Sequence, residues 1–369
     1  MEPFKGSDSN PTSPGEPGPR RRRPRYSGSH PRHFEQRYKE HAASAYPDHT
    51  AHLRTKGRTL AGSHLPVMVA EVMAALDPQP GGCFVDCTLG YGGHARELLV
   101  RITAGGAPGR LIALDVDGVE LPRTVARLAE FGPALAAHRM RFAGLAKVLA
   151  QEGIAQVDGI LADLGVSSMQ LDDPTRGFSV KHDGPLDLRM DDRLPRSGAD
   201  LVAKLPHDEL ATLLRDLADE PDAEAIAAAI VAARATAPIA RTRQLADVVF
   251  AAKRLTRAQW RAATEGAGRS VHPAARTFQA LRMAVNDELG NLRALLRMAP
   301  LVLKPGGRLA LLTFHRGEDA TVAEAFEQGV ARGLYERAST DAQRPTPQER
   351  HDNPRSSSAR LRVAVRATA

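Results

Sequence analysis

The stretch Asp86-Cys-Thr-Leu-Gly90-Tyr-Gly92-Gly93-His94 decides the predicted fold, because it joins a buried apolar strand to the first turn of a helix. Glycines at such a junction allow a ligand to approach the backbone, and the helix N-terminus offers free N–H groups. A second apolar strand, residues 110–115, ends in Asp115, 29 residues after Asp86. This spacing is typical of a β-α-β unit, and repeated units predict a parallel sheet.

Further segments first continue this pattern and then interrupt it. Additional strands are predicted at residues 139–143, 158–164, 308–314 and 360–365. Residues 199–263 contain 20 Ala and no strand pattern, which favours helices because Ala is the best helix former. We therefore predict an α/β fold in which a mainly helical insertion, residues 173–271, separates two parts of a sheet domain, residues 61–172 and 272–369.

The positive charge of the chain is concentrated at its N-terminus. The net charge is +7, and residues 1–60 carry twelve basic and six acidic side chains, so the other 309 residues are nearly neutral. Pro, Gly, Ser and Arg dominate residues 1–60, which predicts a disordered basic extension. This extension could bind nucleic-acid phosphates, or it could be a solvated tail without a fixed role.

Composition excludes several classes of protein. No apolar run approaches the roughly 18 residues of a membrane span, and the N-terminus lacks the apolar segment of a secretory signal. The two cysteines, Cys83 and Cys87, fall short of the four ligands of a structural zinc site, and no other metal motif is visible. We expect a cytoplasmic protein with reduced thiols, no metal and no membrane association.

The glycine turn and Asp115 together predict a nucleotide-like ligand. Neither the GxGxxG pattern of dinucleotide enzymes nor the GxxxxGK[ST] pattern of P-loop enzymes is present. A carboxylate at the end of the second strand can accept both hydroxyls of a ribose. Apolar residues at positions 278–299 step by three or four and predict one face of a long helix, which the Lys304-Pro-Gly-Gly307 turn and a strand follow. With these elements, the pattern favours S-adenosylmethionine over other adenosine ligands. The alternative is a tight turn with a helix-capping Asp.

A second polar site follows the predicted fourth strand. Asp163 ends this strand and Gln170 lies seven residues later, where a parallel sheet presents its ligands. Asp163 could face the methyl donor or the methyl acceptor, and Gln170 could bond to a purine edge. A loop capped by Ser and Asp would give the same pattern without a ligand.

The charged segment, residues 173–192, is longer than an ordinary connection between two elements. Arg176, Lys181 and Arg189 could bind phosphates, and Phe178 could stack on a base, which together would give an RNA-binding loop. An ordinary surface loop remains the alternative.

Several separated motifs, taken together, resemble the ribosomal RNA small-subunit methyltransferase H family (RsmH/MraW). They are the Gly90–His94 turn, Ala162-Asp-Leu-Gly-Val-Ser-Ser168, Asp183-Gly-Pro-Leu-Asp-Leu-Arg-Met190, His272-Pro-Ala-Ala-Arg-Thr-Phe-Gln-Ala-Leu-Arg282 and Asn353-Pro-Arg-Ser356. The resemblance covers residues 64–369. It implies a class I S-adenosylmethionine-dependent methyltransferase, with a Rossmann-like, mostly parallel sheet and an inserted helical domain.

The resemblance also implies a reaction, which is methylation of N4 of a cytidine in the decoding region of 16S rRNA, with the small ribosomal subunit as partner. It places cofactor contacts at Gly92, Gly93, His94, Asp115, Asp163 and Gln170. The aromatic contact of the family falls on Leu145, so aliphatic packing on the adenine is expected there. Asp163 is the candidate catalytic residue, as an acceptor near N4 that stabilises developing positive charge.

This sequence departs from the family pattern at a few positions. Cys87 stands where the family often has Gly, Arg316-Gly317 replaces Ser-Leu, and Asp219-Glu220 replaces Gly-Glu. Two alternatives therefore stay open. One is a methyltransferase acting on another cytosine substrate, and the other is an RNA-binding or ribosome-assembly protein without turnover.

Overall fold

The computed structural model describes residues 66–264 and 271–368, and the predictions for residues 1–60 lie outside them. Within these residues one seven-stranded sheet has the strand order β3-β2-β1-β4-β5-β7-β6. Strands β1 to β5 are parallel, and β6 and β7 are antiparallel to their neighbours. The strands are β1 Cys83–Asp86, β2 Arg110–Asp115, β3 Leu135–Arg139, β4 Val157–Asp163, β5 Leu303–Thr313, β6 Tyr335–Ala338 and β7 Arg360–Arg366.

Helices connect the strands and form the insertion between β4 and β5. Those that accompany the sheet are α1 Val69–Leu76, α2 Gly93–Ile102, α3 Glu120–Arg127, α4 Leu145–Gln151, α5 Ser168–Asp172, α12 Glu288–Val302, α13 Arg316–Ala331 and α14 Pro347–Asp352. Six further helices lie in the chain between α5 and α12. They are α6 Gly198–Lys204, α7 His207–Ala218, α8 Ala223–Thr236, α9 Thr242–Ala252, α10 Arg257–Thr264 and α11 Ala275–Asn286. No helix in the described ranges is both long and apolar enough to cross a membrane.

Three apolar clusters hold these layers together. One contains Phe326 and another contains Phe84, and they cover the two faces of the sheet. The third lies in the insertion and contains apolar residues of α6 to α9. It also includes Phe278 and Leu281 of α11, so this helix packs with the insertion although it follows residue 272.

The topology is that of a class I, Rossmann-like methyltransferase sheet, as the sequence predicts. The third strand was expected at residues 139–143 but forms at Leu135–Arg139, because residues 142–144 adopt a 3₁₀ turn. All five residues of β3 are half-buried at the sheet edge, so they show no apolar run. The β6 strand was not predicted, since Tyr335 is its one buried residue.

The single apolar face expected over residues 278–299 belongs to two helices. Asp287 separates α11 from α12 and has a left-handed backbone conformation, with φ of 49°. Periodicity alone does not reveal this break, because Asp has a short polar side chain that tolerates such a conformation inside a continuous pattern.

A buried ion pair joins the helices of the insertion next to Asp219, one of the positions that depart from the family pattern. Glu220 is 2% exposed, and Lys253 donates from Nζ to Glu220 Oε1 and to Asp222 Oδ2 at 2.9 Å. Lys253→Met should lower the free energy of unfolding by about 3 kcal/mol, because it leaves a buried carboxylate without its partner. Urea unfolding monitored by circular dichroism measures this loss.

Lys204→Met is the matched control for this change. Lys204 pairs with Asp200 at 3.5 Å, but its side chain is 70% exposed. Such an exposed pair should contribute less than about 0.5 kcal/mol. Equal destabilisation by the two substitutions would show that the Glu220 pair has no special structural role.

Candidate active site

A cavity of about 1040 Å³ opens at the carboxyl edge of the parallel strands. The strand ends supply one wall, with residues 87–91, 93 and 94 after β1, 115–117 after β2, 163–167 after β4 and 314, 315 and 318 after β5. The opposite wall comes from α11, α12 and the charged segment, including Asn286, Glu288 and Lys181. The sheet domain and the insertion thus enclose the site together.

The glycines of the first turn have different roles. Gly90 has φ of 47° and donates its N–H to Asp115 Oδ2 at 2.7 Å. A Cβ on Gly90 would contact only Thr88 O at 3.8 Å, so this position is open toward the cavity that it lines. Gly92, with φ of 75°, packs against α3, because a Cβ there would lie 2.8 Å from Thr124 Cγ2. Gly92 is therefore not part of the cavity wall.

Gly93 and His94 begin α2 at the same wall. A Cβ on Gly93 would lie 2.7 Å from Pro66, so the missing side chain lets the preceding segment close over the turn. His94 Nε2 lies 2.9 Å from Val67 O, and burial lowers the pKa of His94 to about 4. The neutral ring can donate from Nε2 and keep the lone pair on Nδ1, which lies 3.8 Å from Asp163 Oδ2.

Asp115 and Asp117 form an acidic pair at the end of β2. Asp115 Oδ1 accepts the N–H of Asp117 at 2.8 Å, and burial raises the pKa of Asp115. Asp117 Oδ2 accepts from Gln170 Nε2 at 2.9 Å and from Arg176 Nη1 at 2.7 Å. Burial alone would raise the pKa of Asp117, but Arg176 and Gln170 outweigh it and lower that pKa. Asp117 was missed by the sequence analysis, although the Asp-Val-Asp spacing could have indicated it.

Two further carboxyl groups lie at the ends of β1 and β4. Burial raises the pKa of Asp86 to about 7. Burial and the nearby charges of Asp86 and Glu318 raise the pKa of Asp163 to about 8. Thr88 connects the two strand ends, because its N–H donates to Asp86 Oδ1 at 3.0 Å and its Oγ1 accepts from Asp163 N at 2.7 Å.

The wall farther from the glycine turn contains charged groups to which the sequence analysis assigned no role. Arg282 donates from Nε to Glu288 Oε1 at 2.7 Å across the break between α11 and α12. Glu318 accepts the N–H of Phe314 at 3.0 Å and lies 3.1 Å from His315 Nε2. These groups come from distant parts of the chain, and only the fold brings them together.

Leu145 differs from its expected role. Its side chain is fully buried in the core of the sheet domain beside Val148, and it does not line the cavity. Leu145 begins α4, and the first turn of this helix faces the core. Phe142, in the preceding 3₁₀ turn, lines the cavity instead and offers an aromatic ring there.

The four residues predicted to bind RNA have different environments. Arg176 is bonded to Asp117 and to the carbonyl groups of residues 189 and 190, and Phe178 is 6% exposed in the core of the insertion. Arg189 bonds to both carboxylate oxygens of Asp187 at 2.8 Å. These contacts stabilise the charged segment, and RNA binding by these three residues stays a prediction. Lys181 is exposed and lines the cavity.

This sheet, with a glycine turn and carboxylates at its carboxyl edge, defines a class I methyltransferase with a helical insertion. The chain belongs to the MraW methylase family, which it matches over residues 61–367. It is 40% identical to ribosomal RNA small subunit methyltransferase H 1 of Lachnoclostridium phytofermentans, over 94% of this chain and 93% of that protein. It is 42% identical to ribosomal RNA small subunit methyltransferase H of Symbiobacterium thermophilum, over 84% of this chain and 98% of that protein.

The raised pKa values at the strand ends predict a pH dependence of stability. The pKa of Asp86 is about 7 in the folded protein and about 4 in an unfolded chain, so the folded state holds this proton more tightly. Stability should therefore fall as the pH rises from about 4 through 7. Asp86→Asn should flatten this fall and raise the melting temperature more at pH 8 than at pH 5.

Differential scanning fluorimetry across this pH range measures the effect. Asp216→Asn is the control, because Asp216 is exposed on α7. If Asp86→Asn and Asp216→Asn shift the melting temperature equally at every pH, the raised pKa of Asp86 is not the cause of the pH dependence.

Proposed function

We propose that this protein transfers a methyl group from S-adenosylmethionine to N4 of a cytidine in the decoding region of 16S rRNA. The observation that carries this proposal is the single cavity that joins the Gly90 turn and Asp115 to Asp163. Membership in a methylase family supports the reaction type, and the names of the relatives support small-subunit rRNA as the substrate.

The residues of the glycine turn fit the proposed cofactor. The missing side chain of Gly90 leaves the backbone accessible from the cavity, and Asp115 presents carboxylate oxygens beside it. Asp115 already accepts two N–H groups, and each carboxylate oxygen has a further lone pair for a ribose hydroxyl. Phe142 offers the apolar surface that an adenine requires. S-adenosylmethionine, when bound, supplies an electrophilic methyl group on a positively charged sulfur.

The lining of the cavity contains more acidic than basic residues. Among the described residues that line it, eight are Asp or Glu and four are Lys or Arg. Arg282 and Arg355 are paired with Glu288 and Asp172. Asp117, Glu120 and Asp191 are in turn paired with Arg176, Arg127 and Arg193, and burial raises the pKa of Asp163 to about 8. Asp115, beside the glycine turn, instead accepts only N–H groups from its neighbours in the described part of the chain, so its carboxylate can attract a positively charged cofactor.

Asp163 is the proposed acceptor for the amine of the substrate. The N4 lone pair of cytosine is delocalised into the ring, so the amine is a weak nucleophile. A carboxylate that accepts an N4–H stabilises the positive charge that develops on nitrogen and takes the proton after methyl transfer. Because the pKa of Asp163 is about 8, methyl transfer should become faster as the pH rises through this value.

Product mapping tests the proposed reaction. The protein is incubated with isotopically labelled S-adenosylmethionine and small ribosomal subunits from a strain that lacks the modification. We expect label at N4 of one decoding-region cytidine, located by mass spectrometry of RNA fragments. Label at another atom would contradict the proposed position, and cofactor binding without label would favour an assembly role.

Asp163→Asn tests the proposed catalytic residue. The amide cannot take a proton from N4, so the single-turnover rate of methyl transfer should fall about 100-fold. Cofactor affinity, measured by calorimetry, should change much less. Asp216→Asn is again the control. Equal losses in rate and in cofactor affinity would show that Asp163 binds the cofactor and has no separate catalytic role.

A further inference from the structure

A second, smaller cleft of about 310 Å³ lies on the insertion. It is lined by residues 180–183 of the charged segment and by Arg243, Arg257 and Arg261. Three separate elements supply the cations of this cleft. Lys181 lies in the charged segment, Arg243 lies in the first turn of α9, and the other two arginines lie on α10. Of the residues that line this cleft, the sequence analysis assigned a binding role only to Lys181.

The acidic groups of this cleft are already paired. Asp183 Oδ2 accepts from Arg241 Nε at 2.8 Å, and Asp247, beside the cleft, pairs with Arg257 at 2.8 Å. Within residues 66–264 and 271–368, Lys181, Arg243 and Arg261 have no ion-pair partner. All three side chains are exposed. The cleft therefore has an excess of three positive charges.

Aromatic contacts hold α10 in place beside the cleft. The ring of Trp260 lies 4.8 Å from the ring of His272 and 6.3 Å from that of Phe250, and Arg257 lies 5.2 Å from the Phe250 ring. Arg257 and Arg261 are one helical turn apart, where like charges weaken a helix. An anion bound between them and Arg243 would remove this repulsion.

The position of the cleft indicates what kind of anion it binds. Lys181 lines both the cleft and the candidate active-site cavity, so the two are adjacent. Acidic residues outnumber basic ones in the lining of the cavity, and two of its four cations, Arg282 and Arg355, are paired, so it offers little attraction to a phosphate, but a neutral base can enter it. A nucleotide chain with one base in the cavity would therefore keep its neighbouring phosphates outside, where the cations of the cleft lie.

We propose that Lys181, Arg243 and Arg261 bind backbone phosphates of the RNA next to the nucleotide that is modified. This inference rests on the proposed function, since it takes the substrate to be RNA. Arg257, fixed by Asp247 and Phe250, forms the rigid side of the cleft. Binding through phosphates positions the RNA without reading its sequence.

The double variant Arg243→Gln/Arg261→Gln in the full chain tests the cleft. Both side chains are exposed and unpaired within the described residues, so the fold should persist, as circular dichroism and the melting temperature can verify. Arg332→Gln/Arg337→Gln, two exposed arginines near and on β6, is the matched control for the loss of two charges. The probes are a short single-stranded oligouridylate and protein-free 16S rRNA, with affinity measured over a range of salt concentrations.

We expect the cleft variant to lose about tenfold in RNA affinity at low salt, and the slope of log affinity against log salt to become shallower by about 1.4, as for two lost phosphate contacts on a single strand. Cofactor affinity should not change. The control variant should retain most of the affinity and the slope of the unmodified protein.

Equal slopes for the cleft and control variants would overturn this inference. Weaker binding to intact small subunits without weaker binding to protein-free RNA would also overturn it, and would indicate an acidic protein surface as the partner. Because these measurements do not require methyl transfer, they are independent of the proposed reaction. If the unmodified protein binds RNA through the cleft but does not methylate it, the proposed function fails and the cleft stands.

Discussion

Three carboxyl groups at the ends of adjacent parallel strands are the constraint on which this site depends. The strand order places β2, β1 and β4 side by side, so Asp115, Asp86 and Asp163 lie at one edge of the sheet. Their negative charges repel one another, and burial removes the water that would screen them. Burial raises the pKa of Asp86 to about 7 and that of Asp163 to about 8, and two N–H groups donate to Asp115. One of those donors is the N–H of Gly90, so the glycine turn is bonded directly to the acidic edge of the sheet.

The same acidic edge connects the sheet domain to the insertion. Asp117 holds Arg176, and Arg176 in turn donates to the carbonyl groups of Arg189 and Met190. The N–H of Met190 donates to Asn286 Oδ1 at 2.7 Å, at the end of α11. A hydrogen-bonded path thus runs from the end of β2 through the charged segment to the opposite wall of the cavity. Substitutions at Arg176 would disturb both walls at once.

Sequence patterns predicted the parts of this fold whose signals are local. The buried strands β1, β2 and β4, the glycine turn and the Ala-rich insertion all show apolar runs or composition that a single segment reveals. The edge strands β3 and β6 were misplaced or missed because half-exposed strands lack such runs. The acidic residues that end the strands could be placed at the site, since parallel strands present their carboxyl ends together. The Arg282–Glu288 pair could not, because it forms across the break between α11 and α12. The Glu318–His315 pair is local, but its position near Arg282 depends on how the helices pack.

Residue type alone does not reveal which cations of the charged segment are already paired. Arg176 and Arg189 look like phosphate ligands in the sequence, but each lies beside a carboxylate and is neutralised by it. Lys181, Arg243 and Arg261, which have no ion-pair partner among the residues that the structure describes, line the neighbouring cleft. Unpaired positive charge therefore lies in the cleft, beside a cavity in which acidic residues outnumber basic ones. This difference attracts a polyanion to the cleft rather than to the cavity, while an uncharged base experiences no such preference.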